Sequence, residues 1–164
     1  MVTALNVRLR EWREDDAPVV LRAFQAPDLR TQAPWPVVTL KDASGWIASW
    51  AGVGHAFAVL RGERVVGNVA VTKLDTHGNG WVSYWVVPEA RGRGVAVGAT
   101  ELLARWAFDE LGLYRLELGH RTNNPASCRV ATKAGFLSEG IERGKLCYEG
   151  VRYDVERHAR LATD

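Results

Sequence analysis

Apolar and polar residues recur along this chain with two different periods, and the changes between them mark its elements. Val7 and Leu9 alternate with Arg8 and Arg10, the period of two that predicts a first strand. Glu14, Asp15 and Asp16 then precede Val19, Val20, Ala23 and Phe24, so acidic residues stand at the start of a helical apolar face. Residues 25–38, with Pro27, Pro34 and Pro36, read as a loop. Thr39 caps a second predicted helix that runs to Trp50, with Asp42 placed as in a capping box. Three strand-like runs follow, at 55–60, 65–73 and 80–87, joined by short connections rich in turn formers, the pattern of an antiparallel meander. The period then lengthens. Val95, Ala99, Leu102, Leu103 and Trp106 share one helical face, and Gly112 suits its end. Residues 115–120 predict a strand; Asn124 and Pro125 open a further helix that Gly135 closes, and residues 147–161 return to the sheet. Together these elements predict an α+β fold, a mixed sheet with helices on its faces, in one domain over residues 1–164.

Composition mainly excludes. A 47% hydrophobic and 24% charged content over 164 residues is that of a globular chain able to bury a core. Net charge is only +2 and the arginines are dispersed, so neither nucleic acid nor a membrane surface is an expected partner. No apolar run approaches the roughly 20 residues of a membrane span. The first residues lack the basic start and long apolar stretch of a signal peptide, so a cytoplasmic location is expected. Cys128 and Cys147 match no metal or redox spacing and the four histidines are scattered, so no metal is expected.

Candidate chemistry concentrates in Arg91-Gly92-Arg93-Gly94-Val95-Ala96, between a predicted strand and a predicted helix. Two glycines admit backbone conformations closed to other residues, and a helix N-terminus offers unpaired N–H groups at the positive end of a dipole. With two arginines added, the segment suits a pyrophosphate. A plain glycine turn fits less well, because cations at a helix N-terminus oppose the dipole unless an anion is present. A dinucleotide fingerprint, Gly92-x-Gly94-x-x-x-Gly98 with Glu117 as ribose acid, is weakened by the four residues between strand and first glycine and by the hairpins upstream. A Walker loop fails because no Gly-Lys-Ser/Thr follows.

The segment 85–98 resembles the acyl-CoA-binding motif of the GNAT superfamily of N-acetyltransferases, whose Gln/Arg-x-x-Gly-x-Gly/Ala is met by Arg91, Gly94 and Ala96. Residues 104–113, Arg115-Leu116-Glu117-Leu118, Asn124-Pro125-Ala126-Ser127 and Lys133-Ala134-Gly135-Phe136 resemble its RimJ/RimL-like branch, which acetylates ribosomal-protein N-termini. The opening, Leu9-Arg10-Glu11-Trp12-Arg13-Glu14-Asp15-Asp16, is similar to that branch as well. The likeness covers nearly the whole chain and is weakest over residues 25–54.

This resemblance implies a mostly antiparallel sheet with helices on both faces and splayed central strands. The pantetheine arm of acetyl-CoA would pair with backbone near Trp85, Val86 and Val87. The amides of Arg91, Gly92, Arg93, Gly94, Val95 and Ala96 would hold the pyrophosphate. The N–H of Val86 or Val87 would donate to the thioester oxygen, and Ser127, at the family's Asn-x-x-Ser position, to the departing thiolate. Tyr148 could replace Ser127 as the acid, but reads first as a core or rim aromatic. Asn124 is read as an N-cap, alone or with a cofactor contact. The strand at 81–85 lacks the glutamate base that several members carry; Glu117 and His120 could relay a proton through water, while Glu117 could equally be an ion-paired sheet residue. Trp35, Ser83 and Glu117 are the candidates for the acceptor pocket, Trp46 and Trp50 read as packing, and Cys128 reads as inert. The implied reaction is direct acetyl transfer to a primary amine. A protein N-terminal α-amine is expected first and a small amine such as an antibiotic or polyamine second; a non-catalytic CoA-binding sensor is the alternative from another class. Two copies could pair along exposed strand edges.

Overall fold

The structure is a computed structural model that describes residues 6–164; residues 1–5, where a leader was judged absent, lie outside the described residues. The elements run β1 (Val7–Glu11), α1 (Ala17–Ala23), α2 (Leu40–Ala48), β2 (Gly54–Arg61), β3 (Arg64–Thr72), β4 (Asn79–Val86), α3 (Val95–Asp109), β5 (Arg115–Arg121), α4 (Pro125–Lys133), β6 (Leu137–Tyr148) and β7 (Val151–Leu161). Short 3-10 turns cover Glu14–Asp16, Arg30–Gln32 and Pro88–Ala90. Thr39 does cap α2, its side chain accepting from the Asp42 amide at 3.1 Å while Asp42 accepts from the Thr39 amide at 2.9 Å.

The strands form one seven-stranded sheet in the order β1-β2-β3-β4-β5-β7-β6. Neighbours are antiparallel except β4 and β5, which are parallel and pair only from Asn79–Arg115 to Trp81–Glu117. Beyond Trp81 the two strands separate. At that point the Trp81 indole lies along β5: a Cβ on Gly119 would sit 3.0 Å from the Trp81 ring and 2.9 Å from Val155. Only a residue without a side chain fits beneath the ring there.

One feature of the sheet departs from the pattern read along the chain. Residues 137–146, for which the sequence pattern predicts no element, belong with Cys147 and Tyr148 to the edge strand β6, so the expected return at 147–161 is the end of one strand and the whole of the next. Most of β6 is exposed, and two register shifts, between Ser138 and Gly140 and between Glu142 and Leu146, interrupt its pairing with β7. Without a buried face there is no apolar alternation for a sequence to display.

The core lies mainly under β1–β4. Trp46 of α2 is buried and packs against Trp12, Phe24, Trp50 and Trp85, with ring centroids 5.3–5.9 Å apart and largely edge-on or tilted, the arrangements favoured by aromatic quadrupoles. Trp12 also donates from Nε1 to Asn68 Oδ1 at 2.9 Å, which satisfies a buried amide of β3. Trp46 and Trp50 are thus packing residues. Helix α3 crosses β1, β3 and β4, burying Val95, Ala99, Leu103, Ala104 and Ala107, while α4 lies against β5 and β6.

The start of the chain is fixed by a bidentate pair. Arg10 of β1 donates to Asp16 at 2.7 and 2.9 Å, and the Arg13 amide donates to Asp16 at 2.9 Å, so one carboxylate joins the first strand to the turn that opens α1. Those bonds, Arg10 foremost, hold the Asp16 carboxyl below its ordinary range despite its burial. Because the folded value is depressed, the stabilisation is complete above the unfolded carboxyl's pKa of about 3.9 and is lost as the pH falls through that value toward the folded one. Urea denaturation of Asp16→Asn near neutral pH is expected to show a loss of about 1–3 kcal/mol. The gap between parent and variant should close below about pH 4; a gap unchanged with pH would contradict this account.

Candidate active site

Separation of β4 from β5 leaves a cleft of about 680 Å³. It runs from Gly92, Gly94 and Val95 past Val82–Val86 of β4 to His120 and Arg121 of β5 and to Asn124 and Ser127 of α4. Its backbone chemistry follows from strand alternation. The Val87 amide donates to the Val66 carbonyl of β3 at 2.9 Å. In an antiparallel pair, alternate residues turn their polar groups toward the partner. Trp85 and Ser83 therefore also face β3, whereas Val86, Tyr84 and Val82 present theirs to the cleft. Of the two amides considered for the thioester oxygen, the Val87 N–H is thus already spent, and Val86 alone is turned toward the cleft. The Trp85 side chain is buried in the aromatic cluster, so only its position on the strand bears on the cleft.

The glycine segment is shaped for close approach. Gly92 and Gly94 have φ of 71° and 73°, in the left-handed region, and Gly94 is the N-cap of α3. Gly98 donates to the Gly94 carbonyl at 3.0 Å, which leaves the amides of the preceding turn unbonded within the helix. Arg91 does not reach into the cleft as a free cation. Its Nε donates to the Val86 carbonyl at 2.9 Å, and its Nη1 pairs with Asp28 at 2.8 Å. Arg93 is exposed and lies outside the cleft lining. Backbone amides, with Val95 and Ala96 at the helix start, are therefore the groups suited to a pyrophosphate.

Across the cleft the Tyr84 hydroxyl donates to Ser127 Oγ at 3.1 Å. Burial raises the Tyr84 phenol's pKa, partly offset by that bond, so it remains a donor. Ser127 then accepts through one lone pair and keeps its own hydrogen for an atom in the cleft. Asn124 caps α4, accepting from the Ser127 amide at 3.1 Å, which fixes the first turn that carries the serine. Tyr84 was not singled out from the sequence; its place two residues before Val86 on the same strand was the available signal.

Other expectations for the acceptor end divide. Ser83 and Tyr148 line the cleft. Trp35 does not: its ring lies over Gly45 of α2, 3.9 Å from where a Cβ would stand. Glu117 is no free acid, because it accepts from Arg115 and from Arg157, each at 2.8 Å, and it is absent from the cleft lining. His120 lines the cleft, with Nδ1 bonded to the Arg121 carbonyl at 2.9 Å and Nε2 turned to His158 Nε2 at 3.0 Å. Arg121 lies over the rings of Tyr148 and Tyr153, 5.2 and 4.6 Å from their centroids, and was likewise missed. Among the described residues that line the cleft, the one carboxylate is Asp28, which Arg91 already neutralises.

This geometry fits an extended ligand with a pyrophosphate at one end and an amide-bearing arm along β4, the outline of CoA. Comparison with known proteins agrees. The chain is 33% identical over 104 residues to YjcK and 30% identical over 118 residues to YdaF, both of Bacillus subtilis and provisionally named as an N-acetyltransferase and a ribosomal N-acetyltransferase. These matches cover 62% and 71% of this chain, and 58% and 64% of the two relatives' own lengths. The fold matches that of Mycobacterium smegmatis RimJ, solved with CoA-disulfide, at a TM-score of 0.85 and 23% identity, over 96% of this chain and 82% of that one. Residues 6–137 match the family described as the acetyltransferase (GNAT) domain, and since that span holds both the splayed strands and the glycine loop, the chain belongs to the GNAT acetyltransferase family.

Proposed function

We propose that the protein transfers an acetyl group from acetyl-CoA to a primary amine, and that this amine is a protein N-terminal α-amine. The observation that carries this reading is the unpaired edge of β4, which faces a cleft running from the glycine loop to Ser127. Val82, Tyr84 and Val86 would bind the pantetheine amides as an added strand does, and the amides from Gly92 to Ala96 would hold the pyrophosphate. Bound acetyl-CoA supplies an activated acyl group on a thiolate leaving group. The Val86 N–H is aimed to donate to the acyl oxygen, where negative charge develops during attack. Ser127, its oxygen already accepting from Tyr84, would hydrogen-bond through its own hydrogen to the departing sulfur, while the proton lost by the attacking nitrogen passes through water and ends on the CoA thiolate.

The acceptor reading rests on what the cleft lacks. Among the described residues no free carboxylate lines it, and Arg121, Arg129 and Lys133 add positive charge. A polycationic amine would meet repulsion there with little to offset it. An amine must also arrive unprotonated, and an α-amine with a pKa of about 7.7–8.0 has a much larger neutral fraction at neutral pH than a lysine at about 10.4. A site without a dedicated base therefore suits an α-amine.

Release of free thiol from acetyl-CoA, followed with peptides bearing free N-termini, spermidine and aminoglycosides, tests this reading. Turnover with peptides at least about tenfold above the other amines in kcat/KM is expected, equal to about 1.4 kcal/mol of transition-state preference. Preference for spermidine would overturn the acceptor assignment, and tight CoA binding with no turnover would favour a sensor. In Ser127→Ala, kcat at saturating acetyl-CoA should fall about tenfold, a modest effect because a serine hydroxyl is a weak acid; an unchanged kcat would remove Ser127 from the reaction. Gly94→Val places a branched side chain at positive φ beside the pyrophosphate position, so KM for acetyl-CoA should rise about tenfold or more while KM for the acceptor stays within about twofold.

A further inference from the structure

Behind the cleft, four side chains from three elements converge on one point. His120 of β5 lies opposite Glu156 of β7 in the sheet register, His158 follows two residues later on the same face of β7, and Cys128 projects from the first turn of α4. Their ligand atoms, the two Nε2, one Glu156 oxygen and the Cys128 sulfur, all lie within 4.8 Å of one another. Both histidine side chains are more than nine-tenths buried.

The hydrogen bonds around the cluster decide what can occupy it. His120 Nδ1 faces the Arg121 carbonyl at 2.9 Å and His158 Nδ1 faces the Phe136 carbonyl at a long 3.5 Å. A carbonyl only accepts, so an Nδ1–H facing it leaves Nε2 of each ring as the nitrogen available to a metal. The two Nε2 atoms stand 3.0 Å apart. A Glu156 oxygen stands 3.2 and 3.3 Å from the same two nitrogens, and the Cys128 sulfur is 3.6 Å from that oxygen. The other Glu156 oxygen is held by Ser138 at 2.9 Å, which fixes the carboxylate's orientation. Without a metal the Cys128 thiol donates to Glu156 and protons hold the cluster together; a divalent cation could replace those protons and accept all four donors.

Three of the separations, 3.2, 3.3 and 3.6 Å, are close to those around a tetrahedral ion, and small side-chain shifts would bring the 3.0 Å nitrogen pair and the sulfur, within 4.8 Å of the other donors, to the same edges. With bonds of about 2.0–2.1 Å to nitrogen, about 2.0–2.2 Å to oxygen and about 2.3 Å to sulfur, the edges of such a tetrahedron are roughly 3.3–3.6 Å. Nitrogen, carboxylate and thiolate together select a borderline-soft divalent ion over magnesium or calcium. The backbone carbonyls on both Nδ1 atoms are the outer partners that metal-bound histidines use. We propose that His120, Cys128, Glu156 and His158 form a binding site for a divalent transition metal, with Zn²⁺ the ion its donors fit best. Four protein ligands make it a closed, structural site that ties α4 to β5 and β7, directly beneath Ser127. Binding displaces the Cys128 thiol proton to solvent, so the ligand is the thiolate. The spacing of cysteine and histidine along the chain gave no hint of this, because strand register and not sequence proximity brings the donors together.

The test uses the full chain without a histidine tag and involves no CoA, so its outcome is independent of acetyl transfer. Mass spectrometric metal analysis of protein purified without chelator is expected to find about one zinc per chain. Metal-free protein titrated with Co²⁺ alone should develop the visible bands of tetrahedral cobalt and a near-ultraviolet thiolate band. Cys128→Ser, a near-isosteric change at a half-buried position, should lose the thiolate band and bind Co²⁺ at least about a hundredfold more weakly. Glu156→Gln should also weaken binding, whereas Cys147→Ser, at an exposed position, should leave it unchanged. Circular dichroism establishes that each variant is folded. Absence of both copurified zinc and a tetrahedral Co²⁺ spectrum would overturn the proposal, as would equal Co²⁺ affinity in the parent, Cys128→Ser and Glu156→Gln proteins.

Discussion

When the pairing of β4 with β5 stops at Trp81 and Glu117, the polar backbone groups of Val82, Tyr84 and Val86 are left without a strand to bond. Buried amides and carbonyls without partners cost about 1–3 kcal/mol each, so this edge must stay wet or be filled. The rest of the site follows from that constraint. The cleft exists because the strands part, its depth is set by α4 on the far side, and its chemistry is that of a strand edge in want of a partner. An amide-bearing chain is the ligand that meets the need most directly.

Support for this open edge comes from one side of the sheet. The aromatic packing of Trp12, Phe24, Trp46 and Trp85 holds β4 against α1 and α2, so the edge presents a fixed row of donors and acceptors. Arg91 extends that order into the glycine loop. One guanidinium satisfies the Val86 carbonyl, where β4 ends, and reaches Asp28 in the connection between α1 and α2. Its task in this structure is to shape the loop, while the loop's amides stay free.

Much of this was legible in the sequence where a residue's local surroundings decide its role. Thr39 and Asn124 cap their helices as their positions suggest, and the three meander strands fall within about a residue of the expected limits, because capping and alternation act over a few residues. Strand β6 was hidden because exposure and two bulges erase its period. In the site, the glycine loop could be read directly, since left-handed conformations and helix N-termini have local signatures. Glu117, Trp35 and the choice between Val86 and Val87 could not. Each depends on which neighbour the fold supplies: two arginines for Glu117, Gly45 for Trp35, and the Val66 carbonyl for Val87. Tyr84 and Ser127 belong to elements that meet only across the cleft, so their hydrogen bond is a property of the sheet's separation.

Beneath the Trp81 indole, Gly119 and Val155 leave no room for even a methyl group. Positions 81, 119 and 155 therefore share one small volume where β4 and β5 have ceased to bond. A larger residue at 119 requires Trp81 or Val155 to yield, so the packing where the strands part is set jointly by the three. Substitution at any one of them is thus confined by the others, however far apart they stand along the chain.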